Sequence, residues 1–161
     1  MLFRSEARAH YEIALAIARE VNDRRHEGFI LGSLGKLHRD EGRIEAAQAH
    51  FDQALAIHRA GGYRRAEGAV LGSLGGLLAQ QGRRGEARDL LCAGEALLRA
   101  VGDRLELATL LCIRGRLEID AGDLDAARTA LAAAETAAQA LGAGPDSELG
   151  RDIAALREAL A

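Results

Sequence analysis

The chain contains side chains that could do chemistry, but their spacing matches no known catalytic or metal-binding motif. Histidine serves as a general base or a zinc ligand, and cysteine as a nucleophile. No HExxH or CxxC spacing occurs around the five histidines and two cysteines. These residues are His10, His26, His38, His50, His58, Cys92 and Cys112.

The serines and glycines also lack a catalytic or nucleotide-binding arrangement. No GxSxG elbow, Walker loop or GxGxxG occurs, and the glycine-rich LGSLG segments lie within helical patterns, where they cannot cradle a phosphate. Asp123 and Asp125 sit at a predicted helix start, where they complement the helix dipole. The sequence therefore predicts no enzymatic activity, no cofactor and no metal.

The composition favours an all-helical protein. The 161 residues include one proline and 3% aromatic residues, with a net charge of -3 and a pI of about 6.0. This balance predicts no attraction to nucleic acid or to an anionic membrane. No apolar run reaches the roughly 20 residues that span a bilayer, and two unpatterned cysteines suggest a cytoplasmic location.

The helices are organised by an internal repeat of 40 residues. Residues 27–66 and 67–106 share sixteen identities, and residues 7–25 match residues 47–65 at ten of nineteen positions. Each period reads as two amphipathic helices, the first pair spanning about 24–41 and 44–60. Gly42 is predicted to end the first of these helices, and Asp23 and Asp103 are placed to cap helix starts.

These positions resemble the tetratricopeptide repeat (TPR) family. In the first repeat the signature residues are Leu31, Leu34, Gly35, His38, Ala47, Phe51 and Ala54. The long period is similar to repeats in kinesin light chains and in bacterial signalling proteins. The usual proline near the end of the second helix is absent, and Arg114 and Glu118 place charges at signature positions, so the third repeat is expected to fit least well.

The resemblance implies an all-α solenoid of antiparallel helix pairs. We expect one domain over 1–161, with a half repeat at 5–22, repeats at 23–62, 63–102 and 103–142, and a capping helix at 146–160. Small residues such as Gly35 and Ala47 are expected where the two helices of a pair cross.

The resemblance further implies a protein-interaction scaffold that binds a peptide or helix on the concave wall formed by the first helix of each pair. An opposing hypothesis is that glycine and alanine on this wall only allow successive helices to pack closely. The wall is expected to be neutral in its middle and basic at its ends. The partner-binding residues that the resemblance implies are Phe29, Ser33, Lys36, Arg39, Ser73, Gly76, Thr109, Cys112 and Arg116.

The half repeat at the N-terminus suggests a second surface. Its single helix carries Tyr11 and Leu15, and part of its apolar face lacks a partner helix. That face could form a homodimer, dock on another protein, or belong to a fragment of a longer solenoid, which the abrupt start of the repeat favours. The alternative function is therefore a C-terminal sensor or self-association segment of a larger bacterial regulatory protein.

Overall fold

The computed structural model describes the backbone of residues 2–161 and the side chains from residue 6 onward. Within that part the chain forms eight α-helices and no strand. None of these helices is long and apolar enough to cross a membrane. The helices are α1 (Leu2–Glu20), α2 (Arg24–Asp40), α3 (Ile44–Gly61), α4 (Arg64–Gln80), α5 (Arg84–Val101), α6 (Arg104–Ala121), α7 (Leu124–Leu141) and α8 (Glu148–Ala159).

The helix ends follow local sequence chemistry. A glycine with φ between 66° and 81° follows the end of each helix from α2 to α7, a conformation that side chains with a Cβ rarely adopt. The side chains of Asp23 and Asp103 accept hydrogen bonds from the N–H groups of His26 and Glu106, which confirms the predicted caps. Tyr63 at the corresponding start of α4 makes no such bond.

Successive helices pack as an α-solenoid of pairs: α2 with α3, α4 with α5, and α6 with α7. Small residues allow the close crossing in the first two pairs. A Cβ added to Gly35 would lie 2.6 Å from Cδ1 of Phe51, and one added to Gly75 would lie 2.8 Å from Cγ of Leu91. Any side chain at these glycines would therefore push the two helices apart.

The third pair is built differently. A Cβ on Gly115 would lie 2.6 Å from Cδ2 of Leu156, which belongs to α8 rather than to α7. The two charged residues that depart from the family signature are paired here. Glu118 is buried and accepts two hydrogen bonds from Arg88 of α5, at 3.0 and 2.5 Å, while Arg114 donates to Glu95 at 2.5 Å.

The first helices of the pairs also contact one another along the solenoid, α2 with α4, α4 with α6, and α6 with α8. Two clusters of buried apolar residues fill the interior, one centred on α2 and α3 and the other running from α4 to α8. The remaining faces of α2, α4 and α6 form one continuous wall.

Candidate functional site

All nine residues that the sequence predicts to bind a partner lie on this wall. They line three cavities with volumes of about 340, 120 and 120 Å³. The cavities share lining residues. Lys36 and Ser73 line both cavities of 120 Å³, and Arg39 and Thr109 line one of these as well as the cavity of 340 Å³. We call the surface lined by these three cavities the groove.

One end of the groove has an aromatic and a histidine side chain. Phe29 is 44% exposed, and its ring lies 5.4 Å from the ring of His58 in an edge-on arrangement. His58 itself is buried, and burial lowers the pKa of its imidazole below the ordinary value. At neutral pH this end therefore offers an apolar surface with an uncharged imidazole beneath it.

The three hydroxyl groups of the groove already donate within their own helices. Ser33 donates to the carbonyl of Phe29, Ser73 to that of Ala69 and Thr109 to that of Leu105, each at 3.1 Å. A hydroxyl oxygen that donates its proton keeps lone pairs for accepting. These side chains can therefore accept hydrogen bonds from the N–H groups of a bound segment.

The largest of the three groove cavities has an apolar floor that includes Gly76, Ile113, Leu117 and Leu156. Cys112 also lines it, and burial, followed by the nearby Asp152 carboxyl, raises the pKa of the Cys112 thiol to about 12. The thiol is protonated at neutral pH and is a poor nucleophile. Cys112 therefore contributes a small apolar surface to the groove.

The charges of the groove are divided between its two sides. Lys36 and Arg39 of α2 line the same cavity as Glu106 of α6 and Glu148 of α8. Arg39 is paired with Asp40 at 3.0 Å, whereas Lys36 makes no ion pair with the described residues. The groove thus has a basic side on α2 that faces carboxylates on α6 and α8.

The prediction of a basic end at Arg116 is wrong. Asp120 and Asp152 line the same cavity as Arg116, so its charge is balanced. Burial, and then the neighbouring Glu148, raise the pKa of Asp152, while Arg116 opposes this shift. Sequence analysis did not assign Asp152 and Glu148 to the wall, because the amphipathic pattern of the capping helix does not fix where the edge of that helix meets α6.

The glycines of the wall have a packing role as well. A Cβ on Gly72 would lie 3.2 Å from Cδ1 of Leu110, and one on Gly76 would lie 3.2 Å from Cγ2 of Ile113. Such distances leave little room for a side chain. Gly76 therefore supports the approach of α4 to α6 while also lining the largest cavity, so packing and groove formation are served by the same residue.

The second predicted surface is only partly exposed. Tyr11 is 37% exposed, but Leu15 is 9% exposed and packs in the core cluster with Leu31 and Leu55. Leu15 lies one turn beyond Tyr11, and it is the one of the two that the rest of the solenoid covers. The interpretation of Leu15 as an interface residue is therefore corrected. Ile13 and Ile17 of the same helix are 59% and 54% exposed.

No group of three or more histidine, cysteine, aspartate or glutamate side chains is placed to hold a metal ion among the residues that the structure describes. The imidazole rings of His38 and His50 contact each other, with their centroids 5.0 Å apart. His38 is buried, and burial lowers the pKa of its imidazole. His38 belongs to α2 and His50 to α3, and neither lines the groove.

Comparison with known proteins gives two findings. The sequence model of the tetratricopeptide repeat family matches residues 5–60 and 30–100. The fold resembles the crystal structure of BtubC (BKLC) from P. vanneervenii, with a TM-score of 0.79 and 20% sequence identity. That alignment covers 97% of this chain and 66% of BtubC, so the chain spans slightly less than two thirds of that protein. A search of curated proteins found no match.

Proposed function

Because the chain belongs to the tetratricopeptide repeat family, whose repeats generally mediate protein–protein interaction, we propose that it binds a peptide or helical segment of a partner protein in the groove. The observation that carries the proposal is the continuity of the three cavities across α2, α4 and α6. The family is generally a non-catalytic scaffold. The proposed role is accordingly recognition.

The groove offers the three kinds of contact that a peptide needs. Apolar floor residues can cover a side chain, the hydroxyl oxygens of Ser33, Ser73 and Thr109 can accept from backbone N–H groups, and charges on both sides can orient the segment. The largest of the three groove cavities, about 340 Å³, is at the lower end of the range for ligand pockets. It is therefore suited to one large side chain of the segment rather than to a separate small molecule.

The division of charge predicts the orientation of the bound segment. An acidic side chain is expected near Lys36 on α2, and a basic side chain near Glu148 and Asp152 on α8. Opposite charges placed in this way favour one direction of binding and disfavour the reverse, because the reverse brings like charges together.

Selection from a displayed library of random twelve-residue peptides tests this function. We expect the enriched peptides to carry an acidic and a basic residue several positions apart. Their affinity for the chain should fall about tenfold or more with Lys36→Glu, or with Asp152→Lys. Arg128→Glu is the matched control, since Arg128 lies on α7 in an exposed pair with Asp125, outside the groove. A failure to enrich peptides, or equal binding to all four proteins, would contradict groove binding.

A second hypothesis concerns α1. The exposed Tyr11 and Ile17 favour a contact of this helix with the remainder of a larger regulatory protein or with another copy of the chain. Light scattering across a concentration series, with Tyr11→Asp and Ile17→Asp as comparison, tests the self-association form. A concentration-dependent dimer that these changes abolish would support it, and a monomer at all concentrations would contradict it.

A further inference from the structure

A carboxylate lies between two arginines where α1 meets α2. Glu27 of α2 is buried, and it accepts hydrogen bonds from Arg19 of α1 at 3.0 Å and from Arg24 of α2 at 2.5 Å. One repeat later, Glu67 accepts from Arg59 at 3.0 Å. The start of the first helix of a pair is therefore a place where arginine side chains hold a carboxylate.

The third pair keeps both arginines but has no carboxylate between them. Arg99, Arg104 and Leu107 lie two repeat periods after the arginine, arginine and glutamate of the first arrangement. Arg99 donates instead to Glu95 of its own helix at 3.0 Å, and Arg104 makes no hydrogen bond or ion pair with the described residues. Leu107 thus stands where the two earlier pairs place a negative charge.

Arg99 and Arg104 line a surface cavity of about 350 Å³ between α5, α6 and α7. Its apolar lining includes Leu107, Ala133 and Ala137, and none of its lining residues belongs to the groove. Within the described part of the chain, no aspartate or glutamate lines this cavity. The cavity therefore favours a ligand that carries a negative charge.

An exposed apolar patch adjoins these arginines. Val101, Leu105 and Leu141 are 42%, 50% and 43% exposed, and all three line a second cavity of about 520 Å³ that Arg104 also lines. Large apolar side chains gathered on one surface are typical of a site that another protein covers. We call these three residues the apolar patch, and the patch together with Arg99 and Arg104 the basic edge.

The other charged groups near the basic edge are already paired. Arg65 and Asp103 line the second cavity, and Arg65 donates to the Asp103 carboxyl. Glu95, which Arg99 binds, is shared with Arg114. The charge of Arg104 is therefore the one that a bound carboxylate would balance.

We propose that the basic edge binds a glutamate side chain of a partner protein, with its carboxylate between Arg99 and Arg104 and with large apolar neighbours of the glutamate against the apolar patch. The chain itself provides the template, since the equivalent arginines hold Glu27 in this way. Because the basic edge and the groove share no lining residue, this site is independent of the function proposed for the groove.

Two synthetic peptides with blocked ends test the site. One carries a single glutamate flanked by leucines, and the other has glutamine in its place. Each is titrated into the full chain while the side-chain Nε–Hε NMR signals of Arg99 and Arg104 are followed. We expect the glutamate peptide to shift both signals and to bind about tenfold more tightly than the glutamine peptide, because hydrogen bonds to a charged group are the stronger kind. Equal binding of the two peptides, or unchanged arginine signals, overturns the proposal.

Leu107→Glu and Leu107→Gln are the matched variants. Both replace the same leucine and keep both arginines, but only the glutamate supplies the carboxylate that Glu27 supplies in the first pair. We expect Leu107→Glu to abolish binding of the glutamate peptide and Leu107→Gln to preserve it. Binding that survives Leu107→Glu overturns the proposal.

A second pair of variants leaves the buried residues unchanged, so that the test does not depend on a substitution in the core. Arg104→Gln should weaken binding of the glutamate peptide about tenfold. Arg64→Gln is its control, because Arg64 has the same repeat phase on α4 but lines neither cavity of the basic edge. Equal affinities of these two variants would contradict the site.

The competing occupant is an anionic membrane surface, which also attracts arginines that lie beside apolar side chains. Sedimentation of the chain with phosphatidylserine vesicles that Arg104→Gln reduces, together with equal binding of the two peptides, would assign the basic edge to a membrane and overturn the proposed glutamate site. Lys36→Glu, which alters only the groove, should leave binding of the glutamate peptide unchanged, so failure of either site can be recognised separately.

Discussion

The two ends of the solenoid carry similar helices but differ in what covers them. At the C-terminal end, α8 buries Leu149, Ile153 and Leu156 against α6 and α7. At the N-terminal end, Tyr11 and Ile17 of α1 have no covering helix among the described residues. An apolar stripe on a helix indicates that a partner is required, and only the neighbouring helices show whether the partner is present.

The largest expected difference separates a covered residue from its uncovered counterpart. Phe51→Ala should lower the free energy of unfolding by about 3–5 kcal/mol, because the fully buried ring fills the space above Gly35. Tyr11→Ala, at the equivalent position of α1, should lower it by less than about 1 kcal/mol. Urea denaturation of both variants checks the pair, and equal losses would show that α1 is covered in solution.

The capping helix should carry a smaller but clear share of the stability. Leu156→Ala is expected to cost about 2–4 kcal/mol, because Leu156 is buried and occupies the space above Gly115. The comparison at the open end is Ile17→Ala, which should have little effect on the urea midpoint. A negligible loss with Leu156→Ala would mean that α8 does not complete the C-terminal end.

The ion pair between α5 and α6 should contribute less than either apolar contact. Glu118→Gln keeps the shape of the side chain but removes the charge that receives two hydrogen bonds from Arg88, and should cost about 1–2 kcal/mol. Much of Arg88 is exposed, so water screens part of the interaction. Glu86→Gln, in the surface pair with Arg83, is the control and should leave the midpoint unchanged.

The N-terminal half should be the part that responds to mild acid, since all five histidines lie at or before His58. Burial lowers the pKa of His38 and His58 below 6.5, with Glu41 and Glu67 opposing the shift and Arg8, Arg43 and His50 reinforcing it at His38. The unfolded chain therefore binds more protons below about pH 6.5. Stability should be constant above this pH and should fall as the pH decreases below it.

Urea midpoints measured between pH 7.5 and 5.5 test this dependence. The double variant His38→Gln, His58→Gln should show a weaker decline than the unmodified chain, whereas His10→Gln, at an exposed position of α1, should not change the decline. A decline of equal size in the double variant would place the responsible groups elsewhere.

Much of the architecture follows from the sequence because its causes are local. The helix ends depend on single residues such as Gly62 and Asp103, and the pairing depends on small residues such as Gly35 that recur every 40 positions. The nine residues assigned to the concave wall also line one groove in the structure, which places them together without testing their role.

The errors arise where several elements meet. The amphipathic pattern marks Leu15 as apolar but does not say which side of α1 has a neighbour. Asp152 lines the largest groove cavity because of how α8 packs on α6. The repeat does not predict this packing, since the segment before α8 breaks the 40-residue period. Long-range placement of this kind depends on the sum of many contacts, and no single residue encodes it.

The central claim, that the groove receives a partner segment, is tested most directly by mapping amide NMR shifts while the tightest selected peptide is titrated into the chain. The account predicts the largest shifts along the groove faces of α2, α4 and α6, around Ser33, Ser73 and Thr109, with smaller shifts at the start of α8. Shifts concentrated on α1, or on the outer helices α3, α5 and α7, would contradict it.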